Sequence, residues 1–87
     1  MFVIVVYDAG VKRDPKVLKV CRRYLSWVQR SVFEGELSDA KLRLLKEELS
    51  AVLDPHKDSV ILYLFQSLRY SRRETLGQAS DPNGVIL

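Results

Sequence analysis

Two segments of this 87-residue chain carry apolar side chains on both faces of an extended backbone. Phe2–Tyr7 and Ser59–Phe65 are rich in β-branched and aromatic residues, which predicts a β-strand in each. Successive side chains of a strand point to opposite faces, so each strand presents two apolar sets. In the first strand these are Phe2, Ile4 and Val6 against Val3, Val5 and Tyr7, and in the second Val60, Leu62 and Leu64 against Ile61, Tyr63 and Phe65.

A sheet built from such strands needs an apolar cover on both faces. Helices packed on one face leave the other as an exposed apolar patch, which is unusual for a soluble monomer. A second copy of the chain, related by a two-fold axis, is the simplest cover, and the sequence therefore predicts a homodimer. The alternative is that the tail after Leu76 folds over the open face, although this tail offers few apolar residues.

Two amphipathic helices are predicted from capping residues and apolar spacing. Asp14 as N-cap with Pro15 at the first helical position begins one helix. Ser38–Asp39 can cap the other, which stops at Asp54–Pro55 because the residue before a proline disfavours the helical region. The apolar stripes are Val17, Val20, Cys21, Tyr24 and Leu25 in the first helix, and Leu42, Leu45, Leu49, Val52 and Leu53 in the second.

Three further strands complete the predicted secondary structure. A second strand is predicted over Val28–Leu37, another over Arg72–Leu76 that ends at Gly77, and a last short one over Val85–Leu87. We interpret residues 1–87 as a single domain of the ferredoxin-like α+β class, ordered strand-helix-strand-strand-helix-strand. Two helices then pack on one face of an antiparallel sheet, the first and third strands lie in its centre, and the C-terminal strand is an addition.

Cysteine usage and the apolar start of the chain bear on where the protein works. Cys21 is the only cysteine, which excludes an intrachain disulfide and fits a reducing, cytoplasmic setting. The apolar run Met1–Tyr7 is too short for a signal peptide or a membrane span, so no membrane association is expected.

Basic residues are concentrated early in the chain. The segment 12–30 holds seven of the fourteen lysines and arginines against one acid, Asp14, and the net charge is +3. This asymmetry predicts a basic face that meets phosphates, and the alternative is a solvated helix face. The candidate nucleic-acid-binding residues are Lys12, Arg13, Lys16, Lys19, Arg23 and Arg30.

Asp8 is the candidate catalytic and metal-binding residue, because it directly follows the first apolar strand. A carboxylate at a strand end lies at the edge of the sheet, where a hard cation can reach it. Mg²⁺ takes six oxygens and usually keeps several waters beside one or two carboxylates. A two-fold axis near this strand end would bring two Asp8 side chains together, and the pair could hold Mg²⁺ and activate water for phosphodiester cleavage. The alternative is an aspartate that only accepts hydrogen bonds from nearby backbone amides.

Three stretches of the chain point to a known family. These are Val5–Asp8, Trp27–Gly35 with its Gln-Arg-Ser-Val-Phe-Glu core, and Asp58–Tyr63. On these motifs, and on length and element order, the chain resembles the CRISPR-associated protein two family, the small subunit of the spacer-acquisition module. The likeness covers nearly the whole chain.

The resemblance implies a function that the residues alone do not give. It implies a ferredoxin-like homodimer with facing sheets, in which Val85–Leu87 pairs with the partner's sheet. Asp8 matches the family's magnesium ligand and catalytic residue, and many members are described as metal-dependent nucleases on RNA or DNA. The dimer is thought to bridge integrase dimers of CRISPR-associated protein one, while basic residues of the first helix and Arg30 in the second strand meet DNA. A toxin-like or regulatory ferredoxin-like dimer outside CRISPR systems is the alternative function.

Overall fold

The described part of the chain has the order strand-helix-strand-strand-helix-strand, and both strands between the helices come from the region predicted as one strand. The computed structural model describes residues 1–66 together with Glu74 and Leu76. The elements are β1 (Phe2–Asp8), α1 (Asp14–Tyr24), β2 (Ser26–Gln29), β3 (Val32–Glu36), α2 (Asp39–Val52) and β4 (Ser59–Phe65). The strands predicted over Arg72–Leu76 and Val85–Leu87 lie outside the described residues, apart from Glu74 and Leu76.

The four strands form one antiparallel sheet in the order β2-β3-β1-β4. β1 pairs with β3 on one side, where Val5 lies opposite Phe33, and with β4 on the other, where Val5 lies opposite Leu62. Two helices packed on a four-stranded antiparallel sheet in this order confirm the ferredoxin-like α+β prediction.

The single strand predicted over Val28–Leu37 is wrong, because this segment is a tight hairpin. β2 ends at Gln29 and β3 begins at Val32, and the turn between them places Arg30 at a positive φ of 42°. The indole N–H of Trp27 donates to the Arg30 carbonyl over 2.9 Å and closes the turn. Neither Gly nor Pro marks the reversal in the sequence, so β-branched and aromatic residues run through it without an interruption that would predict a turn.

The predicted central position of the Ser59–Phe65 strand is also wrong. This segment is β4, and among the described strands it pairs only with β1. The second central place belongs to β3, where Phe33 is fully buried against the ring of Tyr7. Among the described strands, β4 therefore lies at the edge of the sheet although it is apolar on both faces.

Both helices begin close to their predicted capping residues. In α2 the Ser38 hydroxyl accepts the backbone N–H of Lys41 over 3.2 Å, as predicted. In α1 the predicted N-cap Asp14 is instead the first helical residue, and Arg13 occupies the cap position with no side-chain cap bond. The difference arises because the Gly10 carbonyl accepts the backbone N–H groups of both Arg13 and Asp14, each at 2.8 Å.

The two faces of the sheet have different environments. Val3, Val5 and Tyr7 of β1 are buried in a core with the apolar stripes of α1 and α2, where burial raises the pKa of the Cys21 thiol to about 12. The opposite face, which we call the open face, carries the apolar set predicted for it. Its apolar members are Phe2, Ile4, Val6, Val32, Ile61, Tyr63 and Phe65.

No described helix or strand covers the open face. Ile61 and Tyr63 are each 50% exposed there, and the rings of Phe2 and Phe65 lie with centroids 6.4 Å apart. Neither helix in the described part of the chain has the length and apolar character needed to cross a bilayer.

Candidate functional site

Asp8 lies at the end of β1 with an exposed side chain, opposite Ser59 of β4. The alternation along β1 puts Asp8 on the open face, one position beyond Val6 on that face. Its carboxylate is therefore at the rim of the same apolar surface that needs a cover. The candidate metal ligand and the uncovered apolar side chains therefore share one face of the sheet.

The donor set at this end of the sheet suits a hard cation with a mostly aqueous shell. Within residues 1–66, Glu74 and Leu76, no cluster of three or more His, Cys, Asp or Glu side chains forms a metal-binding group. Asp8 thus offers one carboxylate per protomer, and Mg²⁺ is the ion that binds through one or two carboxylates and keeps its waters. A single exposed carboxylate of this kind fits a magnesium ion that keeps most of its waters.

The loop after Asp8 is fastened to the loop before β4 by one buried carboxylate. The side chain of Asp58 is 0% exposed, and its Oδ1 accepts the backbone N–H of Gly10 over 2.9 Å. Arg13 donates through Nε to Oδ2 over 2.5 Å and through Nη2 to Oδ1 over 2.9 Å. The backbone N–H of Asp54 completes the set over 2.9 Å. We call this arrangement the Asp58 clamp.

The electrostatics of the Asp58 clamp follow from its donors. Hydrogen bonds from the Arg13 guanidinium, and after them the N–H of Asp54, hold the pKa of the Asp58 carboxyl well below its ordinary value of 3.8. The same hydrogen bonds to Asp58 raise the pKa of the Arg13 guanidinium above its ordinary value. The clamp is therefore an ion pair throughout the neutral range.

The six predicted nucleic-acid-binding residues differ in exposure and in whether an acidic side chain binds them. Lys12 in the loop and Lys16 and Lys19 on α1 are exposed. Arg13 is engaged by Asp58, and its side chain is 27% exposed. Arg23 donates through Nη1 to Glu48 of α2, although its side chain stays 51% exposed.

Arg30 lies in the β2–β3 turn and not within a strand. Its side chain is exposed. The cations on the loop and on α1 thus form one group, and Arg30 stands at the hairpin.

Tyr7, next to Asp8, faces the core. Burial raises the pKa of its hydroxyl, followed by the negative charge of Asp14, and a hydrogen bond with Ser31 opposes these effects. The phenol therefore stays neutral at physiological pH and anchors the end of β1 from the helix side. Strand alternation alone predicts this inward orientation.

Asp58 was assigned no role from the sequence beyond its place in the third motif. A single acid before an apolar strand is common, and two of its three partners, Arg13 and Gly10, lie 45 and 48 residues away in the chain. One signal was present, because an Asp that directly precedes a β-branched strand is positioned to accept backbone N–H groups of a neighbouring loop.

Comparison with known proteins adds the family. The family model described as "CRISPR associated protein Cas2" matches residues 1–73. The chain belongs to the Cas2 family.

Cas2 relatives match along the whole chain. "CRISPR-associated endoribonuclease Cas2" of Dictyoglomus turgidum is 46% identical over 87 residues, covering 100% of both chains. The protein of the same name from Thermotoga maritima is 48% identical over 86 residues, covering 99% of both.

Solved structures of the family show the same fold. A structure titled "Crystal structure of cas2" has a TM-score of 0.86 and 40% identity, covering 100% of this chain and 98% of that one. The Streptococcus pyogenes Cas2 structure at pH 6.5 has a TM-score of 0.78 and 36% identity, covering 88% and 100% of the respective chains.

Proposed function

We propose that this Cas2-family chain acts in CRISPR spacer acquisition as a homodimer that binds nucleic acid. The dimer bridges integrase dimers of CRISPR-associated protein one, and paired Asp8 side chains give it a magnesium-dependent endonuclease centre. The family match favours this function over a toxin-like or regulatory dimer outside CRISPR systems. The relatives' name, endoribonuclease, supports RNA as a substrate beside DNA.

The observation that carries the proposal is the position of Asp8 on the open face. The apolar side chains of this face are half exposed at Ile61 and Tyr63, and an unpaired patch of this kind marks an interaction surface. A two-fold pairing of open faces covers it with the same residues from a second copy. Because Asp8 shares that face, the pairing that buries the apolar set also draws two carboxylates towards the axis.

The chain's own residues have separate tasks in phosphodiester cleavage. The Asp8 carboxylates hold the ion, and Mg²⁺ supplies Lewis-acid stabilisation of charge developing on the phosphate when it is bound. The exposed cations Lys12, Lys16 and Lys19 contact the phosphate backbone and hold the nucleic acid without reading its sequence.

The decisive experiment compares wild type with Asp8→Ala and Asp8→Asn on labelled single-stranded RNA and duplex DNA. Each protein is assayed with Mg²⁺ and with chelator, and its oligomeric state is measured by sedimentation. Asp39→Asn is the matched control, because Asp39 is an equally exposed aspartate in the first turn of α2. We expect cleavage by wild type and Asp39→Asn only, with Mg²⁺ only, while all four proteins remain dimeric.

Two outcomes would contradict parts of the proposal. Cleavage by Asp8→Ala at the wild-type rate would place the activity elsewhere. Binding without cleavage by every variant would leave the protein as a scaffold that bridges integrase dimers. A bridging role then requires that the purified integrase and this chain co-sediment with DNA in a complex that an open-face variant cannot form.

A further inference from the structure

The Asp58 clamp connects three segments around the candidate site. Asp58 immediately precedes Ser59, the residue opposite Asp8 in the β1–β4 pairing. Through Oδ1 it also holds the backbone of Gly10, two residues after Asp8. One buried side chain thus links the strand opposite Asp8 to the loop that follows Asp8.

Gly10 leaves the Arg13 guanidinium the space that it occupies in the clamp. A Cβ at this position would lie 2.5 Å from Nη2 and 3.2 Å from Cζ of Arg13. The guanidinium therefore packs directly over the Gly10 backbone, and its fork spans both oxygens of Asp58. The clamp therefore ties the loop between β1 and α1 to the residue that precedes β4.

We infer that Asp58 is a positioning residue for Asp8, acting through Gly10 and Arg13. This inference rests on the proposed role of Asp8. A metal ligand must be held within about 0.5 Å of the position in which it binds the ion. Asp8 ends a strand, so the sheet holds the chain only on the N-terminal side of this residue. The clamp supplies the support on the other side.

The inference gives Arg13 a different task from its cationic neighbours. A phosphate contact and a clamp residue respond differently to substitution by alanine. Loss of a phosphate contact weakens binding uniformly and lowers the salt dependence of binding by about one ion. Loss of a clamp residue leaves binding and its salt dependence unchanged and lowers the catalytic rate.

The test compares Arg13→Ala with Lys16→Ala, which removes an exposed cation in the first turn of α1. We expect Arg13→Ala to lower kcat about 10- to 100-fold with KM and the salt slope unchanged. Lys16→Ala should raise KM and reduce the salt slope. Arg13→Ala behaving like Lys16→Ala would overturn the inference and return Arg13 to the nucleic-acid contacts.

Asp58→Asn is the companion variant, and Arg13→Ala/Asp58→Asn closes a double-mutant cycle. Residues acting through one clamp are not additive, so the double variant should be no slower than the slower single variant. Multiplied rate losses would show two independent roles and would contradict the clamp as a unit. Arg13→Ala keeps the Asp58 side chain and its two backbone donors, Gly10 and Asp54.

Two measurements that do not depend on catalysis distinguish this inference from the proposed function. Amide hydrogen exchange at residues 8–13, and broadening of their amide signals by Mn²⁺, are measured in wild type, Asp58→Asn and the control Asp39→Asn. We expect faster exchange at Gly10 and a higher Mn²⁺ midpoint in Asp58→Asn alone.

The possible results of these measurements are distinct. Faster exchange with an unchanged Mn²⁺ midpoint and kcat would make the clamp purely structural and refute its positioning role. If wild type shows neither cleavage nor Mn²⁺ broadening at Asp8, the proposed metal site fails. Unchanged exchange in Asp58→Asn refutes the clamp itself, whatever the activity.

Discussion

Replacing Ile61 by alanine should weaken the homodimer measurably. Ile61 lies opposite Val6 on the open face and is 50% exposed in the single chain. Full burial of an isoleucine side chain stabilises by about 1.5–3 kcal/mol, so covering the exposed half contributes about 1 kcal/mol. A two-fold interface contains the residue twice, and the variant should lose about 2 kcal/mol of dimerisation free energy, or about 30-fold in dissociation constant.

The chain offers a matched control for this experiment. Leu44 of α2 is 48% exposed, but it lies in the helix layer, on the other side of the sheet. Leu44→Ala removes a similar apolar area without touching the open face. Sedimentation over a range of concentrations should show a weaker dimer for Ile61→Ala and a wild-type dissociation constant for Leu44→Ala. Equal behaviour of the two variants would refute the open face as the interface.

Three further predictions follow from the described side chains. Lys16→Ala should reduce the slope of log affinity against log salt by about one, measured by fluorescence titration on duplex DNA; an unchanged slope would remove this residue from the phosphate contacts. The pKa of Asp58 is lower in the folded than in the unfolded state, so its stabilising contribution is present above the unfolded value of 3.8 and lost as pH falls. Urea unfolding from pH 6 downwards should therefore show a flatter acid limb for Asp58→Asn than for wild type, and parallel limbs would contradict the ion pair. Phe33→Ala should lower the free energy of unfolding by about 3–5 kcal/mol in the same assay, because the ring is fully buried between the sheet and the helices. A loss below about 1 kcal/mol would mean that the core refills the space.

The family and the position of the candidate metal ligand could both be predicted from the sequence, for different reasons. The three motifs that carry the resemblance are contiguous stretches, and a contiguous stretch can be matched without knowing the fold. The family match over residues 1–73 confirms that interpretation. The position of Asp8 on the open face could also be predicted, because alternation along β1 fixes it from Phe2 onward.

The sequence could not predict which of the basic residues form ion pairs with acidic side chains. Helical spacing places Lys16, Lys19 and Arg23 on one stripe, but it does not reveal that Glu48 of α2 binds Arg23. It also gives no sign that Arg13 turns back over Gly10 to reach Asp58. A cation's partner depends on which elements pack together, and that information is not local.

The sequence by itself determined the helices, the strands' two faces and the family, because periodicity, capping and motifs act over a few residues. Only the tertiary structure decided that Val28–Leu37 folds back at Arg30, that β3 and not β4 shares the centre of the sheet with β1, and that Asp58 fastens the loop after Asp8. These features depend on contacts between positions up to 48 residues apart. Such contacts stabilise the chain only once the sheet has formed.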